Sequence, residues 1–446
     1  MDKNHTKLIQ HRLTRRIRRI IMGLLFLSFF VMSPLIILYT AGYRYDITQH
    51  KIKQKGVLSV DIKPTDATVY LNNIKIDKKI PIRIADRAPG TYRLSIQREG
   101  YKSWEKDITI SSNQTTYIKD ITLIQDAVPQ RIALDTTGIL HIYGTEESQT
   151  VIILSQHDAL FEILAFDSVL HSLTPIMRTT VEPYIEVSPF FDIVYIETQE
   201  NNAHTGYIIS LDNPQDLKTI GITSPTSIVH QWNNVDISQP LYTQENNHIM
   251  RIELAGSKTD AAQSTSTLWY IDADNALWTI ENNTLSQMNS NNSFYIDEPV
   301  QQIIDINKNR IILKLIDNRT LVAKYNNQGL YDRQLISGNP IYNHHETREW
   351  WVATNWELSS IYEDGGVNLL SRSGDNIKNA LLLDREGVIL FVTNQGLKSF
   401  NPGYYVGHEL LNEPNIEDTI ALIKKRELLF LSPHDTEGYA LYSLRY

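Results

Sequence analysis

Few residues of this chain combine types and spacing that chemistry would use. His344, His345, Glu346 and Glu349 carry the side chains of a metallopeptidase, but an H-E-x-x-H helix sets its histidines four apart so that both face one metal. Adjacent histidines point in different directions, so no metal site is expected. Asp272-Ala273-Asp274-Asn275 alternates oxygen ligands as a calcium loop does, yet the glycine and glutamate that complete an EF-hand are missing. A hairpin turn flanked by Trp269 and Trp278 is the expected structure. Tyr342, Trp350, Trp351 and Trp356 form the candidate ligand surface, because aromatic faces bury sugar rings; packing of a β core uses the same residue types. The chain contains no P-loop, G-x-G-x-x-G or G-x-S-x-G pattern, so no cofactor and no acyl-transfer nucleophile is implied. Carboxylates for glycoside hydrolysis cannot be singled out among the many acids without a fold to pair them.

Those residues lie on a chain of 446 residues, 42% hydrophobic, long enough for two to four domains. Its net charge of -9 is unevenly spread. Residues 1–44 carry 8 basic and 1 acidic side chain, residues 45–125 carry 14 and 9, and the remainder carries 20 and 41. Positive charge is therefore concentrated near the N-terminus, while the acidic C-terminal part is no partner for nucleic acid. With no cysteine, disulfides, thiolate metal sites and cysteine nucleophiles are excluded, and stability must come from packing.

The element that positions everything else is Ile20 to Tyr43, 24 residues without a charge between Arg19 and Arg44. A helix over this stretch would reach roughly 36 Å, enough to cross a hydrocarbon core of about 30 Å. Seven basic residues precede it against the single acid Asp2, which by the positive-inside rule keeps the N-terminus cytoplasmic and sends the rest outside. A cleaved secretory signal is the rival reading. The apolar run is longer than the usual signal core, and no A-x-A pattern closes it. The expected order is a basic cytoplasmic tail (1–19), a transmembrane helix (20–43), a short stalk (44–56) with alternating Lys51, Lys53 and Lys55, and then β structure.

From Val57 the apolar period becomes two: Leu58, Val60 and Ile62, a turn at Pro64-Thr65-Asp66, then Val69 and Leu71. Asn72-Asn73 supplies a tight turn, since asparagine tolerates the left-handed conformation. Further strands are expected at Tyr92 to Ile96, Trp104 to Ile110 and Thr116 to Leu123, which makes residues 57–125 a small antiparallel sandwich. The order Pro64-Thr65-Asp66-Ala67, Asn72-Asn73, Lys79-Ile80-Pro81, Ala88-Pro89-Gly90-Thr91-Tyr92 and Glu99-Gly100-Tyr101 resembles the PEGA domain. Thr65 and Asp66 replace the name-giving Glu and Gly, and Asn73 stands where glycine is commoner. The resemblance implies a non-catalytic surface module with a carboxypeptidase-regulatory-like or starch-binding-like β-sandwich.

Beyond residue 126 short apolar runs such as Val151 to Leu154, Ile193 to Ile196 and Ile311 to Ile316 end at Asp, Asn or Gly clusters, as strands and hairpins do. His157-Asp158, Asn201-Asn202, Asn246-Asn247, Asn291-Asn292, Gly338-Asn339 and Asp384-Arg385 recur every 44 to 47 residues. A period near 45 is one four-stranded propeller blade, which predicts about seven blades for residues 126–446. The chain is thus expected to be mainly β, a single-span cell-membrane protein whose C-terminal region serves as an extracytoplasmic binding or scaffolding head. The expected partners are an envelope polysaccharide or another surface protein. The alternative is an extracellular propeller hydrolase acting on glycan or peptide.

Overall fold

The computed structural model describes residues 15–446 except 41–42, 47–50, 135, 201–202, 222–229, 309, 343–349 and 434–437. The chain forms two compact units, Met1–Ile124 and Gln125–Tyr446. His344, His345, Glu346 and Glu349 fall outside the described residues.

In the first unit a helix runs over Arg15–Thr40. Within Ile17–Thr40 the most apolar 18-residue window has a mean hydropathy of 2.6, and none of it is buried in protein, so its side chains have no protein core to enter. It is long and apolar enough to cross a membrane. Pro34 lies inside it and removes one backbone donor, a loss that membrane helices tolerate. The helix begins and ends earlier than the uncharged run, because Tyr43–Asp46 already pairs with Lys51–Gln54 as a two-stranded hairpin.

The rest of this unit is a sandwich of a three-stranded and a four-stranded sheet. Gly56–Lys63 lies at the centre of the first sheet, antiparallel to Ile82–Arg87 and parallel to Thr115–Thr122. The second sheet orders Ile74–Lys75, Thr68–Leu71, Gly90–Gln97 and Trp104–Ile110. Period-two patterning turns Leu58, Val60 and Ile62 of one sheet, and Val69, Leu94 and Ile96 of the other, into a buried core. Each such side chain contributes about 1.5–3 kcal/mol when fully buried. Asn72 and Asn73 adopt φ values of 48° and 63°, as a two-residue hairpin turn of the I′ type requires.

The second unit is a ring of eight four-stranded antiparallel blades, six of them separate sheets and the first and last joined into one eight-stranded sheet through the pairing of Ile139 with Tyr439. Their first strands begin at Ile139, Tyr184, His230, Trp269, Val300, Asn339, Ile377 and Thr419. The eighth blade takes its fourth strand, Gln130–Arg131, from the start of the unit. The first strand of blade 1 touches those of blades 2 and 8, and the same contact joins blades 4 and 5 and blades 7 and 8. A closed ring results, with no free sheet at either end.

Packing between blades explains the unbroken apolar runs. Val151 and Ile153 enter the cluster shared by blades 8 and 1, whereas Ile152 and Leu154 enter the one shared by blades 1 and 2. A strand covered on both faces must be apolar at every position. Equivalent clusters join blades 2 and 3, 3 and 4, 4 and 5, 5 and 6, and 6 and 7.

Eight blades is one more than a period of 45 allows. The first strands are 45 and 46 residues apart at first, but only 31 separate Trp269 from Val300. His157-Asp158 and Asn246-Asn247 occupy the turn between second and third strands of blades 1 and 3, and Asn282-Asn283 takes that place in blade 4. Asn291-Asn292 lies one turn later, between the third and fourth strands of its blade.

Candidate functional site

Inside the ring lies a cavity of about 780 Å³, walled by the first strands of blades 2 to 6. Blade 2 supplies Tyr184, Glu186 and Phe190, blade 3 Gln231 and Trp232, blade 4 Leu268, Trp269 and Tyr270. Blade 5 adds Gln301, Gln302, Ile303 and Ile304, and blade 6 Pro340, Tyr342 and Trp350.

Most polar atoms on these walls are already committed. Glu186 accepts from the Tyr184 hydroxyl at 2.8 Å and from Trp232 Nε1 at 2.7 Å, so two blades are fastened through one carboxylate. Behind it the Tyr195 hydroxyl meets Glu197 at 3.2 Å, and Glu197 meets His204 Nδ1 at 2.6 Å. The pairing of Tyr184 with Glu197 and of Glu186 with Tyr195 makes this a ladder across the sheet. Burial, followed by the Glu186 charge, pushes the Tyr184 hydroxyl far above its ordinary value; burial and Glu197 do the same to Tyr195. Both phenols are therefore neutral hydrogen-bond donors at any physiological pH.

Trp269 Nε1 donates to Gln244 Oε1 at 2.9 Å. The Gln231 amide is held at both ends by the backbone of Ile271, at 2.7 Å each way. Tyr270 donates to Asp305 at 3.1 Å, and Asp305 pairs with Arg310 at 2.8 Å with both side chains buried. What remains for a ligand is a limited ring surface, the Thr267 hydroxyl and two amides. Gln301 and Gln302 are exposed and, among the described residues, hold no side-chain hydrogen bond. They sit where the register shifts between Val300 and Gln302, and such a bulge re-aims side chains.

One end of the cavity is bridged. Phe190, in the turn after Tyr184–Val187, packs edge-to-face on Tyr342 with ring centroids 4.6 Å apart, and 6.4 Å from the Trp350 ring. Tyr342 ends the first strand of blade 6 and Trp350 begins its second, so this aromatic group lies at the end where inner strands turn outward. Ser188 Oγ caps the turn by accepting from the Phe190 and Phe191 amides at 3.2 Å.

Of the four aromatic residues singled out in the sequence, Tyr342 and Trp350 come together here. Trp351, 3% exposed, points the opposite way into the cluster between blades 6 and 7. Trp356, 53% exposed, stands in the hairpin between Trp350–Ala353 and Glu357–Ile361, apart from the cavity. Asp272 is absorbed by its own turn: Oδ1 accepts from the Asp274 and Ala276 amides, and Oδ2 from Trp278 Nε1 at 2.9 Å. Sequence reasoning missed Tyr184, Glu186, Phe190, Trp232, Gln301 and Gln302. Their one available signal was position on the first strand of a repeat, and a repeat as irregular as this one hides it.

Among solved structures, the chain is similar to an uncharacterised protein from Listeria monocytogenes EGD-e, at 13% identity over 65% of this chain and 99% of that one, with a TM-score of 0.42. The β-propeller domain of Cps50 (Swd1) from Myceliophteria thermophila is similar at 8% identity over 71% of this chain and 100% of that one, with a TM-score of 0.42. A functionally unknown protein from Desulfotomaculum acetoxidans DSM 771 covers 69% of this chain and 89% of its own at 13% identity, with a TM-score of 0.31. No curated protein matches the sequence. Within the first unit, the sandwich that carries the Asn72-Asn73 turn is matched by a family model: residues 55–124 match the PEGA domain.

Proposed function

We propose that this chain is a membrane-anchored surface protein of the cell envelope whose propeller binds a saccharide in its axial cavity without covalent chemistry. Arg15–Thr40 would be an uncleaved single span with the basic N-terminus in the cytoplasm, placing the sandwich and the propeller outside. The observation that carries the binding role is the cavity wall: Trp232 and Trp269, whose Nε1 atoms are already bonded to Glu186 and Gln244, beside two amides that hold no side-chain hydrogen bond among the described residues. Ring faces bury the C–H surface of a sugar while amides meet its hydroxyls. Hydrolysis of a glycoside needs two carboxyl groups facing one space, and among the described residues Glu186 is the one carboxylate on this wall.

The test is a glycan array probed with detergent-solubilised full-length protein, wild type and Trp232→Ala. Retention of a defined saccharide set by the wild type, weakened at least about tenfold by the substitution, is the expected result. A blank array, or release of shortened saccharide from a retained one, contradicts it.

A further inference from the structure

The cavity has a sign. Among the described residues its walls carry one carboxylate, Glu186, and no lysine, arginine or histidine. Among the described residues no cation pairs with Glu186; its two contacts, Tyr184 and Trp232, are neutral donors. Around it stand Trp232, Trp269 and Trp350, which are 8%, 3% and 7% exposed, and the half-buried Tyr342, so the attraction for a cation comes from the carboxylate.

Each oxygen of Glu186 has one neutral donor, which leaves lone-pair capacity on both for a further donor. A neutral sugar can donate a hydroxyl to this carboxylate and meet the Gln301 and Gln302 amides. An amine-bearing sugar uses the same groups and replaces the hydroxyl with an ammonium, which adds charge attraction to the hydrogen bond.

Resting on the saccharide reading above, we propose that the axial cavity selects a cationic amino sugar, with Glu186 as its counter-charge. Acidic polymers, whether phosphate- or uronate-bearing, are excluded by the same field.

Full-length protein in neutral detergent is titrated with a glucosamine hexamer and with its N-acetylated counterpart, which share a backbone and differ in charge. The amine form is expected to bind about tenfold more tightly, with the margin shrinking as salt is raised. Glu186→Gln, whose oxygen can accept from Trp232 Nε1 while its NH2 donates to the Tyr184 hydroxyl, should bring the two affinities within about twofold, with the larger loss in the amine form. Equal affinities in the wild type overturn the charge selection but leave saccharide binding standing. Loss of both, with a blank array, overturns both readings; loss of both with another saccharide retained overturns the selection alone. Should Glu186→Gln not fold, the wild type decides against a uronate hexamer, whose binding would overturn the proposal and whose rejection beside a bound amine form would support it.

Discussion

Phe190 of the second blade stands 4.6 Å from Tyr342 of the sixth, edge to face, and so ties together two blades that lie four apart in the ring. The contact belongs to the apolar cluster between blades 5 and 6, where Trp350, Ile312 and Val352 are buried. Cutting Phe190 back to alanine removes that tie as well as part of the cavity wall. Half-buried as it is, Phe190→Ala should cost about 2 kcal/mol, lowering the melting temperature of the propeller by roughly 4 °C. An unchanged melting temperature would show that the two blades are held without it.

The buried pair Asp305–Arg310 is a second structural commitment. Arg310 also donates to the carbonyl of Tyr362 at 2.5 Å, so one guanidinium links blades 5 and 6, and Asp305 reaches back to Tyr270 of blade 4. Asp305→Ala leaves that cation buried without its carboxylate and should cost about 3–5 kcal/mol, read as a fall in the urea midpoint. Adding Arg310→Met to the same protein should recover part of the loss.

Stability should also depend on pH through Glu146. Its Oε2 is enclosed with no partner among the described residues, although other atoms of the residue reach the surface, and burial pushes the carboxyl from an ordinary 4.5 up to about 7. A raised carboxyl pKa means that the folded state holds a proton the unfolded state has released. The associated stability is complete below about pH 4.5 and is lost as pH rises through about 7, by about 3 kcal/mol for a shift of this size. Asp384, raised by burial, acts in the same direction. Glu146→Gln, compared with wild type by thermal melts at pH 5 and pH 8, should be the more stable at pH 8 and close to wild type at pH 5. A wild-type melting temperature that rises over that interval through this group would contradict the assignment.

In the sandwich, Asn73 adopts φ 63° in a two-residue turn and Asn72 receives the Arg93 amide on Oδ1 at 2.8 Å. Asn73→Gly relieves a side chain held in the left-handed region and should stabilise this unit by roughly 0.5 kcal/mol. The same substitution at Asn72 removes a hydrogen bond and should destabilise, which melts of the two single variants would separate.

Much of this architecture was legible because it is local. The helix follows from an uncharged run, and the sandwich strands Gly90–Gln97 and Trp104–Ile110 follow from alternation between Pro-Gly and Glu-Gly breaks. The blade count was not, since the 31-residue step between Trp269 and Val300 breaks a series that begins at 45. The cavity was half visible: Tyr342 and Trp350 were singled out with Trp351, which faces the other side of the same strand. Nothing in one sequence shows that Phe190 and Trp232 share a space with Trp350, because ring closure alone brings blades 2, 3 and 6 together.

The measurement that reaches the central claim most directly is a crystal structure of the propeller with the best saccharide from the array. The account predicts the sugar against Trp232 and Trp350, with its hydroxyls on Gln301 or Gln302. A sugar bound instead on the exposed Trp356 hairpin, with the axial cavity holding only water, would contradict it.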